Sequence, residues 1–171
     1  MKNIKTTYSK SQIWSWLEEV IDPEIPVLNV VEMGIVREVE IDNDGMVTVK
    51  ITPTYSGCPA MNAIEMEIHK KLQENHVENF KVVTDFKESW TTDWMTDHAK
   101  KKLKDYGIAP PEKTDQDADF LTSLKGSQKI VPCPYCDSME TRLESEFGST
   151  ACKSQYYCEN CRQPFEHFKC I

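Results

Sequence analysis

Apolar residues recur at helical spacing near the start of the chain and again after its first third. The first stripe follows Ser9-Lys-Ser-Gln12, a pattern typical of a capping box at a helix N-terminus. Its members follow the helical repeat: Ile13, Trp14, Leu17, Val20 and Ile21. This helix must end before Pro23, because proline disfavours the α conformation at the residue before it.

Two further helices follow from the same periodicity. One is predicted after Pro59, which suits a first helical position, with its apolar stripe at Met61, Ile64, Ile68 and Leu72. The other is predicted from about Asp93 to Tyr106, with Thr92 as its N-cap and Gly107 as the residue that ends it.

Alternation with period two predicts three strands between these helices. Val47, Val49 and Ile51 alternate with polar residues, and Ile35, Arg37, Val39 and Ile41 share one parity. The turn residues 42–45 join the two segments into a hairpin. A third strand is predicted over 80–86, with Phe80, Val82 and Phe86 on one face. The order α-β-β-α-β-α predicts a small α+β domain over residues 1–107, with helices packed on the sheet.

The rest of the chain divides into a polar linker and a cysteine-rich module. Pro110 and Pro111 open a stretch that contains the acidic run 115–119, and we expect a linker over 108–129. In residues 130–171, alternation over 141–147, the pair Tyr156-Tyr157 and the segment 165–168 predict three short strands. This layout is that of a zinc ribbon.

Two Cys-x-x-Cys pairs lie in this module: Cys133 with Cys136, and Cys158 with Cys161. Two tight turns can aim four thiolates at one ion in a tetrahedron, which suits zinc and leaves no open coordination position. About 42 residues bury too small a core to fold alone, so the metal is expected to supply much of the stability. Iron–sulfur ligation and dithiol redox chemistry stay open as alternatives.

Four further residues of the module bear on metal binding. Cys152 and Cys170 are either small buried hydrophobes or a second soft-metal or docking site. His167 follows Cys161 at a spacing that is poor for a fourth ligand. Asp137 stands after Cys136, where many zinc knuckles carry glycine, and so weakens the first knuckle slightly without changing its ligands.

Cys58 is the one cysteine of the N-terminal segment, in a Gly-Cys-Pro turn before a predicted helix. The positive end of that helix is expected to lower its pKa and favour the thiolate. Such a thiolate could ligate a metal or a cluster, with Asp22 and Glu24 as carboxylates nearby, or act as a nucleophile. The alternatives are a half-buried thiol and an acidic turn that merely ends the first helix. No histidine of this segment stands in a recognisable catalytic motif.

Charge and composition narrow the function further. The formal net charge is −8 and no segment is basic, which argues against a nucleic acid partner. There is neither an apolar run of about 18 residues nor an N-terminal apolar signal, so we expect no membrane span and a cytoplasmic location. Of the seven cysteines, six fall at 133 and beyond; an odd, clustered set indicates metal binding rather than disulfides.

The motifs together resemble a known pair of families. Asp22-Pro-Glu-Ile-Pro26, the hairpin and Thr54-Tyr-Ser-Gly-Cys-Pro59 resemble the SufT-like domain of iron–sulfur assembly factors, over about residues 9–107. Ser145-Glu-Phe-Gly-Ser-Thr-Ala-Cys-Lys153, with Phe168-Lys-Cys-Ile171, is similar to the zinc-ribbon tail of the PaaD subtype.

The resemblance implies an accessory of phenylacetate degradation. PaaD-type proteins are grouped with the multicomponent oxygenase that converts phenylacetyl-CoA to its ring 1,2-epoxide, using a diiron subunit and a reductase with flavin and a [2Fe–2S] cluster. They are not its catalytic subunit, and this chain has neither Glu-x-x-His pairs on long helices nor a G-x-G-x-x-G loop.

The resemblance also implies roles for particular residues. Cys58, with Asp22 and Glu24, would hold iron or a cluster transiently, while the ribbon docks the oxygenase or reductase. A homodimer could share the cluster. The alternative function is a structural adaptor that joins oxygenase and reductase without metal transfer.

Overall fold

The computed structural model describes residues 8–55, 57–111 and 130–169. The chain divides into two compact units, Met1–Trp90 and Thr91–Ile171, here called the N-terminal unit and the ribbon unit. Compact units need not fold independently, so the bounds 1–107, 108–129 and 130–171 stay a prediction. None of the described helices is long and apolar enough to cross a membrane.

The N-terminal unit begins with helix α1, Lys10–Leu17, and the predicted capping box is confirmed. The Gln12 amide donates to Ser9 Oγ at 3.3 Å, and the Ser9 amide donates to Gln12 Oε1 at 2.8 Å. The helix ends earlier than its apolar stripe predicts. Ile21 instead forms an isolated bridge with Asn29 and is 46% exposed, because the chain has left the helical path by that point.

A three-stranded sheet in the order β1-β2-β3 forms the centre of this unit. Its strands are Val36–Ile41, Val47–Ile51 and Phe80–Thr84, and helix α2, Ala60–Glu74, connects β2 to the parallel β3. β1 pairs antiparallel to β2 with a register shift between Val36 and Glu38.

Two predictions about side-chain faces are wrong, and the shift explains the first of them. Val36 is buried and Arg37 is exposed, whereas strict alternation places Arg37 with the buried residues. A bulge adds one residue to a strand and so reverses the parity beyond it. Phe86 lies past the end of β3 and is 65% exposed, rather than on the sheet face with Phe80 and Val82.

The core of the N-terminal unit lies between the helices and the sheet. Its fully buried members include Ile13, Leu17, Val47, Val49, Ile51, Ile64, Ile68 and Leu72. Packing of these apolar faces fixes α2 against the sheet, and so fixes the position at which α2 begins. The α+β class predicted from the sequence is confirmed.

The ribbon unit contains a short 3₁₀ turn, Thr92–Trp94, helix α3, Asp97–Tyr106, and a sheet in the order β4-β7-β6-β5. The strands are Ile108–Ala109, Thr141–Ser145, Lys153–Cys158 and Pro164–Phe168, numbered β4 to β7. β4 is parallel to β7, and the other pairs are antiparallel. The three predicted strands are confirmed, and β4 was not predicted.

The third helix begins later than its sequence indicates. Its N-cap is Thr96, whose side chain accepts a hydrogen bond from the Ala99 amide at 3.0 Å, and not Thr92. Met95 has an extended backbone, with φ −72° and ψ 136°, and this separates the 3₁₀ turn from the helix. Gly107 ends α3 in the left-handed region with φ 93°, as predicted. The acidic run 115–119 lies outside the described residues.

A small core joins the sheet to the cysteines. Its buried members are Ala109, Val131, Cys133, Tyr156, Cys158 and Phe165. Beside it, the Lys153 ammonium pairs with Glu166 Oε2 at 3.0 Å, and the lysine side chain is only 5% exposed. Two of the six core residues are cysteines, so the packing and the cysteine cluster depend on each other.

Candidate metal centre and Cys58 site

The four predicted ligands of the ribbon unit converge in the structure. The sulfurs of Cys133, Cys136, Cys158 and Cys161 all lie within 4.8 Å of one another. Cys133 Sγ is 3.6 Å from Cys161 Sγ, and Cys136 Sγ is 3.7 Å from Cys158 Sγ. A tetrahedral ion with metal–sulfur bonds of about 2.3 Å places its ligands about 3.8 Å apart. The donor set therefore fits a single tetrahedral ion.

Two similar turns bring these sulfurs together. In the first, the Asp137 amide donates to the Cys133 carbonyl at 2.9 Å, and the Cys133 amide donates to the Ser138 carbonyl at 3.0 Å. In the second, the Cys158 amide donates to the Gln163 carbonyl at 3.0 Å. The residue after each second cysteine is left-handed, with φ 57° at Asp137 and 58° at Arg162.

Asp137 is accommodated where glycine is common. Aspartate is among the residues that enter the left-handed region most readily. Its carboxylate also accepts a hydrogen bond from Lys104 of α3, at 2.5 Å between Nζ and Oδ1. The departure from glycine therefore leaves the first turn intact.

Three of the four thiols have pKa values shifted from those of ordinary thiols. The Ser138 backbone amide, with help from Asn160, lowers the pKa of Cys136 to about 6. Burial, followed by the neighbouring thiols, raises the pKa of Cys161 to about 12, and burial also raises the pKa of Cys133. Crowded thiolates repel one another, so they ionise together only when a positive ion lies between them.

Cys58 lies in the N-terminal unit, in the loop just before α2. Its sulfur accepts hydrogen bonds from the Ala60 amide and from the Thr54 hydroxyl, and the side chain is half-buried. The predicted direction of its pKa is wrong. Burial raises the pKa, and the negative charges of Glu24 and Asp22 raise it further, which outweighs the two hydrogen bonds. Cys58 is therefore a neutral thiol at pH 7.

The acidic turn that faces Cys58 is itself highly organised. Asp22 is buried, and its Oδ1 accepts the amides of Glu24 at 2.8 Å and Ile25 at 2.7 Å. Both carboxylates act electrostatically on Cys58, so the three predicted site residues do share one locality. They do not gather into a ready-made site: within the described residues, the four ribbon cysteines are the only group of three or more ligands.

Of the remaining candidates of the ribbon unit, Cys152 and His167 do not belong to the group of four metal ligands. Cys152 is buried, with its sulfur 3.1 Å from Thr150 Oγ1, and Cys170 lies outside the described residues. His167 is buried with Nδ1 3.4 Å from Ser154 Oγ and does not join the four cysteines. The sequence did not predict a role for Asn160 at the metal site. An amide side chain between two cysteines is too common a feature to indicate one.

Comparisons with known proteins find a separate family match in each of the two parts of the chain. Residues 10–84 match the family described as iron-sulfur cluster assembly protein, and residues 117–169 match the PaaD zinc beta ribbon domain. The N-terminal unit also resembles a solved domain of unknown function, DUF59, from Bacillus anthracis. The TM-score is 0.52 at 29% identity, over 55% of this chain and 90% of that one. The first part of the chain is thus similar to iron–sulfur assembly proteins, and the last part is similar to the PaaD zinc ribbon.

One relative matches both parts together. The chain is 43% identical over 160 residues, 94% of its own length and 92% of the relative's, to one component of the "Putative 1,2-phenylacetyl-CoA epoxidase" of Escherichia coli (strain K12). The chain belongs to this PaaD-like family. Its N-terminal part is also 34% identical to an Fe-S protein maturation auxiliary factor of Porphyromonas gingivalis, over 56% of this chain and 90% of that one.

Proposed function

We propose that this chain is a non-catalytic accessory of a phenylacetyl-CoA epoxidase system that assists assembly of an iron–sulfur or diiron cofactor. Cys58 would bind iron or a cluster transiently, and the four ribbon cysteines would hold a permanent zinc ion. The observation that carries the proposal is the setting of Cys58: a half-buried thiol before a helix, facing Asp22 and Glu24, in an assembly-family domain.

The chemistry of Cys58 suits transient binding. A thiol must lose its proton to ligate iron, and burial with two nearby carboxylates makes that loss costly. The same carboxylates would become attractive partners once a cation arrives. A single protein sulfur leaves the other coordination positions to a donor, an acceptor or a second copy of the chain. A neutral thiol is also a poor nucleophile, which supports a non-catalytic role.

The ribbon cysteines suit a different task. Four thiolates complete a tetrahedral shell, so a zinc ion there has no position for substrate and acts structurally. The sulfur–sulfur distances support one ion over a polynuclear cluster, because cluster cysteines bind different iron atoms and lie farther apart. We propose that the zinc-stabilised ribbon docks the subunit that receives the cofactor.

The partners follow from the family. Its E. coli relative is named as an epoxidase component, and the Porphyromonas relative as a maturation factor. We therefore propose the oxygenase and reductase components as partners in the cytoplasm, with a homodimer as the form that shares a cluster. The net charge of −8 argues against nucleic acid.

Replacement of Cys58 tests the proposal in cells that lack the native chain. Cells would carry the wild-type chain, Cys58→Ser or Cys152→Ser, all at equal abundance. We expect Cys58→Ser to lower the cluster content of the reductase and the iron content of the oxygenase, and Cys152→Ser to lower neither. Full cofactor content and normal epoxidation with Cys58→Ser would remove this role for Cys58.

The adaptor alternative makes the opposite prediction about timing. An assembly factor is dispensable once both cofactors are loaded, whereas an adaptor is needed at every turnover. Purified, fully loaded oxygenase and reductase should therefore epoxidise at the same rate with and without the chain. A rate that requires the chain at fixed stoichiometry would establish the adaptor instead.

A further inference from the structure

The four ribbon cysteines differ in their access to solvent. Cys133 and Cys158, the first cysteines of the two turns, are completely buried in the small core. Cys161 is intermediate, and Cys136 alone is exposed. The burial of Cys158 follows from the fold, because this residue ends strand β6 inside the sheet.

Asn160 contacts the sulfur of Cys136 from the opposite turn. Its Nδ2 lies 3.6 Å from Cys136 Sγ, within the range of an N–H···S hydrogen bond. Asn160 stands between Cys158 and Cys161, so this contact links the two turns without adding a ligand. The Cys136 sulfur that it contacts lies 3.7 Å from the sulfur of Cys158.

We propose that Cys136 is the ligand at which a chelator or an electrophile first reaches the metal shell of the ribbon, and that Asn160 is the positioning residue that keeps this thiolate on the metal. An incoming chelator or electrophile must reach a sulfur or the ion, and the exposed sulfur offers the open approach. A hydrogen bond to a metal-bound thiolate withdraws electron density from it, which lowers its reactivity toward electrophiles. It also holds the sulfur in the ligating position.

Loss of Asn160 should therefore weaken metal retention without removing a ligand. Partners of metal ligands are typically worth 10- to 100-fold in metal affinity. We expect Asn160→Ala to raise the rate of zinc release by about the same factor, roughly 10- to 100-fold. Asn160→Gln keeps the amide donor on a longer side chain and should restore part of the retention. Asn62→Ala, at an exposed asparagine of α2, is the matched control.

The experiment uses the zinc-loaded full chain and two readouts. Zinc release into an excess of chromophoric chelator is timed for each variant, and peptide mass spectrometry identifies which of the four ribbon ligands iodoacetamide alkylates first. Among these four cysteines, alkylation of the wild-type chain should begin at Cys136, and zinc release should accompany it. In Asn160→Ala, both should accelerate while Asn62→Ala behaves as wild type. Cobalt substitution confirms that the variant still offers four sulfurs in a tetrahedron.

Two results would overturn the inference. One is first alkylation of the zinc-loaded wild-type chain at Cys133, Cys158 or Cys161, a test that needs no variant to fold. The other is zinc release from Asn160→Ala within about twofold of wild type, against the expected 10-fold or more. The inference rests on the proposed zinc occupancy, and the two failures are distinguishable. A chain that binds no zinc at all defeats the zinc proposal, whereas zinc held equally well without Asn160 defeats only this one.

Discussion

Zinc binding to the metal-free chain should release nearly four protons. A four-thiolate site takes up its ion only as each thiol loses its proton, and the structure brings four such thiols together. An ordinary thiol with a pKa of about 8.5 is roughly 97% protonated at pH 7. Four of them therefore give up about 3.9 protons per zinc ion if the ribbon is unfolded before binding.

The structure sets a second limit for a ribbon that stays folded without metal. In that case Cys136, with a pKa of about 6, is already mostly ionised at pH 7. The release then falls to about three protons, because Cys136 no longer contributes one. In both cases the affinity for zinc falls as the pH falls, by about 1,000- to 10,000-fold per pH unit near pH 7. We expect the higher value, because the core of the ribbon unit is too small to persist without metal.

The assay adds zinc to the metal-free chain in weakly buffered, anaerobic solution with a pH indicator. Proton counts are compared with zinc bound, for wild type, Cys152→Ser and Cys136→Ser. Cys152→Ser should match wild type because this cysteine is not among the four ligands. Cys136→Ser should release about one proton fewer and bind more weakly. A wild-type count of about two or fewer would refute coordination by four thiolates.

Three further predictions concern stability, each measured by thermal or denaturant unfolding of the zinc-loaded chain. Glu166→Gln should destabilise by roughly 1–3 kcal/mol at pH 7, because it leaves the buried Lys153 ammonium without its carboxylate. Although burial raises the pKa of Glu166, hydrogen bonds from Ser149 and the charge of Lys153 lower it more. The stabilisation is therefore present above about pH 4.3 and is lost as the pH falls through the lowered pKa, so the variant and wild type should converge in acid. Ile68→Ala should cost about 2–5 kcal/mol through the cavity it leaves, and a loss under about 1 kcal/mol would contradict the packing of α2. Arg162→Gly should stabilise by roughly 0.5–1 kcal/mol because φ is 58° there, and a loss of stability would contradict that backbone conformation.

Local and strongly patterned signals were readable from the sequence. The capping box at Ser9 and Gln12 is complete within four residues, and each Cys-x-x-Cys pair specifies one tight turn. Their geometry depends on neighbours in the chain, so spacing alone was enough to predict it. The convergence of the two pairs was also predictable, because four thiolates complete the tetrahedral coordination of one ion.

Features that depend on distant partners were not readable in the same way. The bulge in β1 depends on how this strand pairs with β2, and no residue type in 36–38 predicts it. β4 is only two residues long and is recognisable as a strand only because it pairs with β7, more than 50 residues later in the chain.

The pKa of Cys58 illustrates the same limit at the candidate site. The helix N-terminus beside it is visible in the sequence and predicts a lowered value. The burial of Cys58 and the nearby charges of Glu24 and Asp22 depend on the tertiary structure. They raise the pKa of Cys58 instead of lowering it.

In the proposed function the chain binds metal at two separate sites: a permanent zinc ion in the ribbon and transient iron at Cys58. The most direct test is metal analysis with visible absorption on anaerobic protein, before and after reconstitution with ferrous iron and sulfide. We predict one zinc and no colour as isolated, then iron–sulfide absorption after reconstitution that Cys58→Ser abolishes while the zinc remains. Absorption that persists in Cys58→Ser, or that appears only as zinc is displaced, would place the iron in the ribbon and contradict the account.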